Sequence, residues 1–145
     1  MPPKTETQRA SWWRTVTNVF RRPAPALGTR GERFAAQFLK KHGYTLIAFN
    51  RRHGKGEIDL IVMDKEFLIF VEVRTRTSEE FMTPEASIRS EKRKTLQRTV
   101  RRLFRRHKSA GLRPRIDVIA LIWPEGAREP AEVRHHKAVI PLHNW

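Results

Sequence analysis

Between residues 29 and 122 the apolar positions change period several times, and each change marks an element. Phe34, Ala35, Phe38 and Leu39 recur at the spacing of one helical face. Thr29 followed by Glu32 has the spacing of a capping box and Gly43 stands where a C′ residue belongs, so a helix of roughly three turns is predicted between them. From Tyr44 to Asn50 the chain becomes β-rich. Glu57 to Met63 (EIDLIVM) and Phe67 to Thr75 (FLIFVEVRT) are two further strands, with Asp64, Lys65 and Glu66 as the turn between them. A second helix is predicted from about Pro84 to His107, and Ile116 to Ile122 (IDVIALI) reads as a buried strand. Val133 to Leu142 is a candidate edge strand. The order αβββαβ, without internal repeat, predicts an α/β fold with a mixed central sheet flanked by helices.

Upstream of this pattern, Arg22-Pro23-Ala24-Pro25-Ala26 cannot continue a helix and favours extended backbone. Residues 1–26 are therefore read as a flexible basic extension and residues 27–145 as one folded domain, starting near Leu27. Within the extension Trp13, Val16 and Phe20 have the spacing of a short amphipathic helix for a membrane surface or a partner; loose packing on the domain itself is the plainer alternative. Arg, Ser and Thr with a single acid, Glu6, in residues 1–22 also suit a mitochondrial presequence, against an unstructured extension.

Composition narrows the function classes. With 145 residues there is room for one core. Thirty Lys and Arg against fifteen Asp and Glu give a net charge of +15, which calls for a polyanionic partner or a tolerance of self-repulsion. The absence of cysteine removes disulfides, thiol nucleophiles and cysteine-bound zinc, and fits a cytoplasmic location. No window approaches the ~20 apolar residues of a membrane span, and no apolar signal segment precedes the domain.

Two carboxylates break the strand pattern. Asp59 interrupts Ile58-Asp59-Leu60-Ile61-Val62 and Glu72 interrupts Ile69-Phe70-Val71-Glu72-Val73, although burying an unpaired charge costs several kcal/mol, roughly, or forces its protonation. Glu72 and Arg74, two residues apart on a strand, share a face. A hairpin with a four-residue loop places Met63 opposite Leu68 and Asp59 opposite Glu72, with Cβ atoms ~5 Å apart. Carboxylates so close repel unless a cation lies between them, and oxygen ligands suit Mg²⁺ or Mn²⁺ rather than zinc. The alternative is an ordinary ion pair of Asp59 or Glu72 with Arg74 or Arg76 on a half-exposed sheet face.

The segment Gly56-Glu57-Ile58-Asp59-Leu60-Ile61 followed by Phe70-Val71-Glu72-Val73-Arg74-Thr75-Arg76 resembles the bacterial UPF0102, or YraN-like, family. The resemblance extends through Gly31-Glu32, Gly43-Tyr44, Pro84-Glu85-Ala86, the basic helix and Ile116-Asp117-Val118, covering most of residues 28–122. It implies a restriction-endonuclease-like fold with a PD-(D/E)xK type site, similar to archaeal Holliday-junction resolvases. By that resemblance Asp59 takes the place of the motif's Asp, Glu72 of its second carboxylate and Arg74 of its Lys. Glu32 matches the extra carboxylate that many resolvase-like members carry on the first helix, and Glu57 is an outer acid. Asp59, Glu72 and Glu32 would then ligate Mg²⁺ or Mn²⁺, and a homodimer is one implied assembly. No proline precedes Asp59 in the motif's sense. Arg74 in place of Lys matters more, because a guanidinium stays protonated and cannot act as a base, leaving it to clamp a phosphate.

Between residues 89 and 115 there are twelve Lys or Arg and one acid, Glu91. On a helical wheel Leu96, Val100, Leu103 and Phe104 share one face, while Lys94, Arg98, Arg101, Arg102 and Arg105 lie broadly opposite, with Lys92 near the start. A solvated helix face would balance its charges with acids four residues away, so a phosphate-binding ridge is the better reading. Arg51, Arg52, His53 and Lys55, with Gly54 and Gly56, read as a flexible basic loop or a plain turn, and Arg76 extends the cationic surface. The six histidines show no metal-ligand spacing and suit surface or packing roles. Nothing in the pattern reads base edges, so backbone contacts would dominate. The combined expectation is a metal-dependent, endonuclease-like protein on DNA, branched or damaged DNA among its targets. The alternatives are a non-catalytic DNA- or RNA-binding module and an interaction protein recruited through its Trp-containing extension.

Overall fold

The structure is a computed structural model that describes residues 29–80, 82–105 and 111–142. The first helix, α1, spans Arg30–Lys41. Half of the predicted capping box forms: Glu32 accepts the Thr29 backbone N–H, while the Thr29 hydroxyl makes no cap bond. At the other end Gly43 has φ 87, and Gly43 N–H and Tyr44 N–H donate to the carbonyls of Lys40 and Leu39, closing the helix as its sequence predicts.

Three antiparallel strands follow: β1 (Thr45–His53), β2 (Gly56–Met63) and β3 (Phe67–Arg76). The Arg51-to-Gly56 segment is no flexible loop. Arg51, Arg52 and His53 belong to β1 and pair with β2, and only Gly54 and Lys55 turn the chain, with Gly54 at φ 59. Asp64 caps the next turn by accepting the N–H groups of Glu66 and Phe67.

After a 3-10 turn at Glu85–Ser87, helix α2 runs over Ser90–Arg105. It starts six residues later than the apolar spacing predicts, because Ile88 is extended at φ −84, ψ 94 and packs its side chain into the core. Its predicted end at His107 lies outside the described residues, as do the extension 1–26 and Leu27. Strand β4 (Arg113–Ile122) returns parallel to β3, and β5 (Glu132–His136) adds an antiparallel edge, shorter than the predicted Val133 to Leu142. The sheet order is β1-β2-β3-β4-β5.

Each sheet face carries one helix. Ala35, Ala36 and Leu39 of α1 pack on Leu60, Val62, Ile69, Val71, Ile119 and Leu121, and the α2 residues Leu96, Val100, Leu103 and Phe104 pack on Ile58, Ile61, Phe70, Ile116 and Val118. Each large side chain so buried contributes about 1.5–3 kcal/mol. Two glycines set the helices close: a Cβ on Gly31 would lie 2.3 Å from Thr75 Oγ1, and one on Gly56 would lie 1.8 Å from Thr99 Oγ1 of α2. Among the described residues no helix is long and apolar enough to cross a membrane.

Candidate functional site

Strands β2 and β3 pair in the predicted register, Met63 with Leu68 and onward to Leu60 with Val71, and their pairing ends there. Asp59 is the first residue past that point. Its Oδ2 accepts the Val73 N–H at 2.8 Å, taking a hydrogen bond that the backbone ladder no longer supplies. Alternation also breaks at Asp59, since Ile58 belongs to the α2 side of the core and Leu60 to the α1 side. The ladder pair that would set Asp59 opposite Glu72 is not formed, and the charge of Glu72 still acts on the Asp59 carboxyl. Burial first, and then the neighbouring Glu72, push the Asp59 carboxyl up to about 7.

Glu72 is 3% exposed and faces α2. Its Oε1 lies 3.0 Å from Arg74 Nη2 and 3.5 Å from Lys92 Nζ, the lysine descending from the first turn of α2. Burial still raises the Glu72 carboxyl, with Lys92 and Arg74 opposing it. Oε2 of the same side chain is buried with no hydrogen-bond partner. The sequence places Arg74 beside Glu72 by strand alternation; it gives Lys92 only as part of the basic helix.

From the α1 side comes Glu32. Burial and then the charge of Asp59 raise its carboxyl, while hydrogen bonds from the Asn50 amide and the Thr29 backbone lower it in part. Glu32 Oε2 is again buried without a partner. Glu57, the outer acid, adds to the negative field at Glu32 and pairs with Arg52 at 3.7 Å.

These features test whether a hard cation suits the residues present. Two buried carboxylate oxygens without partners, and an Asp carboxyl pushed up to about 7 by burial and a like charge, show negative charge in excess of its local compensation. Among the described residues no three His, Asp or Glu side chains are drawn together as a ready-made cage. Mg²⁺ does not need one: it is commonly held by one or two carboxylates with water and substrate phosphate completing the shell. Asp59 and Glu72 meet that requirement, and Glu32 stands at the electrostatic periphery.

Cationic residues line α2, the β1–β2 turn and the end of β3. Lys94, Arg98, Arg102 and Arg105 are exposed along α2, with Arg101 half-buried between them. An Arg102 guanidinium nitrogen lies 3.8 Å from where a side chain on Gly54 would begin, which joins α2 to the turn carrying exposed Arg52 and Lys55 and half-buried Arg51. Arg76 is exposed at the end of β3.

A third carboxylate breaks the apolar strand pattern, and the sequence reading gave it no role of its own. Asp117 in β4 is fully buried and fully partnered: Arg115 Nε and Nη2, His135 Nε2 and the Ala138 N–H all lie 2.8–2.9 Å from its oxygens. Burial acts to raise its carboxyl, but His135, Arg115 and Ala138 outweigh it and hold it below the ordinary range. It joins β5 and the following turn to β4, a packing role shared by His135. His136 likewise bonds Glu85.

The sheet order, the helix on each face and the carboxylates where β2 leaves β3 define an α/β protein with a mixed sheet of the restriction-endonuclease-like kind. Its sequence matches the model of the Uncharacterised protein family UPF0102 over residues 31–121, and the chain belongs to that family. It is similar to the UPF0102 protein of Desulfosudis oleivorans, 41% identical over 92 residues that cover 63% of this chain and 75% of that one. Likewise it is 35% identical to a UPF0102 protein of Rhodopirellula baltica, covering 79% and 70%, and 35% identical to one of Beutenbergia cavernae, covering 81% and 98%.

Proposed function

We propose that this chain is a metal-dependent, endonuclease-like nucleic-acid-binding protein that hydrolyses phosphodiesters, with DNA, including branched or damaged DNA, favoured by the likeness to restriction-endonuclease-like cores. The observation that carries the reading is the buried, partnerless Glu72 Oε2 beside a carboxyl, Asp59, that burial holds at about 7.

Asp59 and Glu72 would hold Mg²⁺ or Mn²⁺, with Glu32 assisting. The bound cation would polarise a phosphoryl oxygen and lower the pKa of a water. Arg74, fixed 3.0 Å from Glu72, cannot take a proton; it clamps the scissile phosphate and stabilises charge building on it. Lys94, Arg98, Arg102 and Arg105, with Arg101, Arg52, Lys55 and Arg76, bind the flanking backbone, and Lys92 joins that surface to Glu72.

A second reading is favoured by the two cations on Glu72 Oε1, which neutralise much of its charge without metal. In it the carboxylates are vestigial and the chain is a DNA- or RNA-binding module. Forked, four-way and single-stranded substrates, incubated with Mg²⁺, Mn²⁺ or EDTA and with Glu72→Ala in parallel, separate the two. Cleavage that requires metal and disappears in Glu72→Ala supports the enzyme; salt-sensitive binding without cleavage of any substrate supports the module. Equal cleavage by the variant would trace to a contaminating nuclease.

A further inference from the structure

Glu72 holds two cations on one carboxylate oxygen and none on the other. Arg74 Nη2 and Lys92 Nζ lie 3.0 and 3.5 Å from Oε1, while Oε2 is buried without a hydrogen-bond partner. The two cations are held differently. Arg74 stands two residues along the same strand, and its planar guanidinium is pre-organised for a carboxylate, so little freedom is lost in keeping it there. Lys92 reaches across from α2 on a flexible alkyl stem, at the longer distance and with its side chain 33% exposed. The backbone beneath it is fixed: Ile88 is buried, its carbonyl accepts Arg93 Nε at 3.3 Å, and the Arg93 N–H donates to the Arg89 carbonyl. Lys92 can therefore leave Glu72 by rotating its own stem, with no movement of α2.

Charge balance gives that freedom a use. Two acids, Asp59 and Glu72, stand against two bases, Arg74 and Lys92, and a divalent cation shared by the acids would leave both bases beside it without counter-charge. We propose that Lys92 is a built-in stand-in for the divalent cation: it neutralises Glu72 in the metal-free chain, gives that carboxylate up when the cation binds, and then takes an oxygen of the phosphate presented there. An ammonium suits both tasks, since its three rotatable donors serve a carboxylate or a phosphate as a point charge. This inference rests on reading Asp59 and Glu72 as a cation site. The competing account is a permanent ion pair that seats the first turn of α2 against β3.

Brief acetylation of the full wild-type chain with acetic anhydride, read by mass spectrometry of its peptides, follows Lys92 without substituting any site residue. Saturating Mg²⁺ is expected to speed Lys92 acetylation about threefold, as a 33% exposed side chain becomes a free one, while exposed Lys94 keeps its rate. A DNA duplex added next should slow Lys92 again. In Asp59→Asn, which holds no metal, Lys92 should stay slow with and without Mg²⁺. Electron paramagnetic resonance of free Mn²⁺ gives a second measure: Lys92→Gln should bind Mn²⁺ about tenfold more tightly than wild type, because a competing positive charge is gone. A lysine that only seats α2 would, once replaced, lower the melting temperature and leave Mn²⁺ affinity unchanged or weaker. Mn²⁺ binding by the wild type with Lys92 acetylated at one rate throughout overturns the exchange while leaving the cation site standing. So does a Lys92 that stays fast when the duplex is added, or an Mg²⁺ response that survives in Asp59→Asn. A wild-type chain that binds no Mn²⁺ overturns both.

Discussion

Asp117 and Asp59 are both aspartates inside apolar strands, and they bear opposite relations to pH. The Asp117 carboxyl is held below its ordinary value, so its stabilisation is present above the unfolded pKa of about 3.9 and is lost as pH falls through the folded one. Asp117→Asn removes a charge that Arg115 and His135 surround and is expected to destabilise the fold by about 3–5 kcal/mol at pH 7, measured by urea unfolding, with a shallower loss of stability below pH 5 than wild type. Asp59 is raised to about 7, so its penalty is absent below the unfolded pKa, grows as pH rises from there and is complete once pH has passed about 7. Asp59→Asn should therefore raise stability at pH 8 by on the order of 1–3 kcal/mol in the metal-free protein and by progressively less as pH falls toward 4, while abolishing Mn²⁺ binding. A stability loss at pH 8 would count against an uncompensated charge at that position. Asp59, Glu72 and Arg74 were legible because charged residues violate an alternating strand. Lys92 was not, because only its 3.5 Å approach to Glu72 sets it apart from the other cations of α2.

Among the elements, α2 does most of the positioning. One face seats Leu96, Val100, Leu103 and Phe104, its first turn delivers Lys92 to Glu72, and its outer side presents the exposed cations. Replacing Lys94, Arg98 or Arg105 singly by Ala should lower the slope of log affinity against log salt by roughly one each and leave melting unchanged; unchanged slopes for all three would place the nucleic acid elsewhere. Seating depends on Gly56. Gly56→Ala drives a methyl into Thr99 and is expected to cost about 1–3 kcal/mol, with part recovered by adding Thr99→Ala, as read by thermal melting. The apolar periodicity located both helices and β1 to β4. It misplaced the start of α2, because a buried extended Ile88 contributes an apolar residue at helical spacing without being helical. The basic loop before Gly56 was likewise drawn too loose, since cross-strand pairing is a property of the partner strand as much as of the segment itself.

In the molecule as a whole, the order is αβββαββ, and the meander of the first three strands follows from short turns, which make antiparallel neighbours. The edge β5 carries few apolar positions and is fastened by Asp117, Glu85 and Arg134 contacts that sequence spacing does not reveal. That β2 parts from β3 at Asp59 was also hidden, for the register up to that residue is regular. Every residue of the carboxylate cluster and its cation partners except Glu32 and Lys92 comes from the continuous β1–β3 segment.

The parallel seam between β3 and β4 has a kinetic consequence. Phe67 pairs with Arg113 and the offset of 46 residues persists along the seam, whereas β1, β2 and β3 join through tight hairpins. Hairpins form in roughly 1–10 μs, and closing the long crossover is slower. The three-stranded meander can therefore form while its β3 edge is still bare and before Lys92 reaches Glu72. Refolding at high ionic strength, where mutual repulsion between these strongly basic chains is screened, is the condition in which that open edge would most readily seed aggregation.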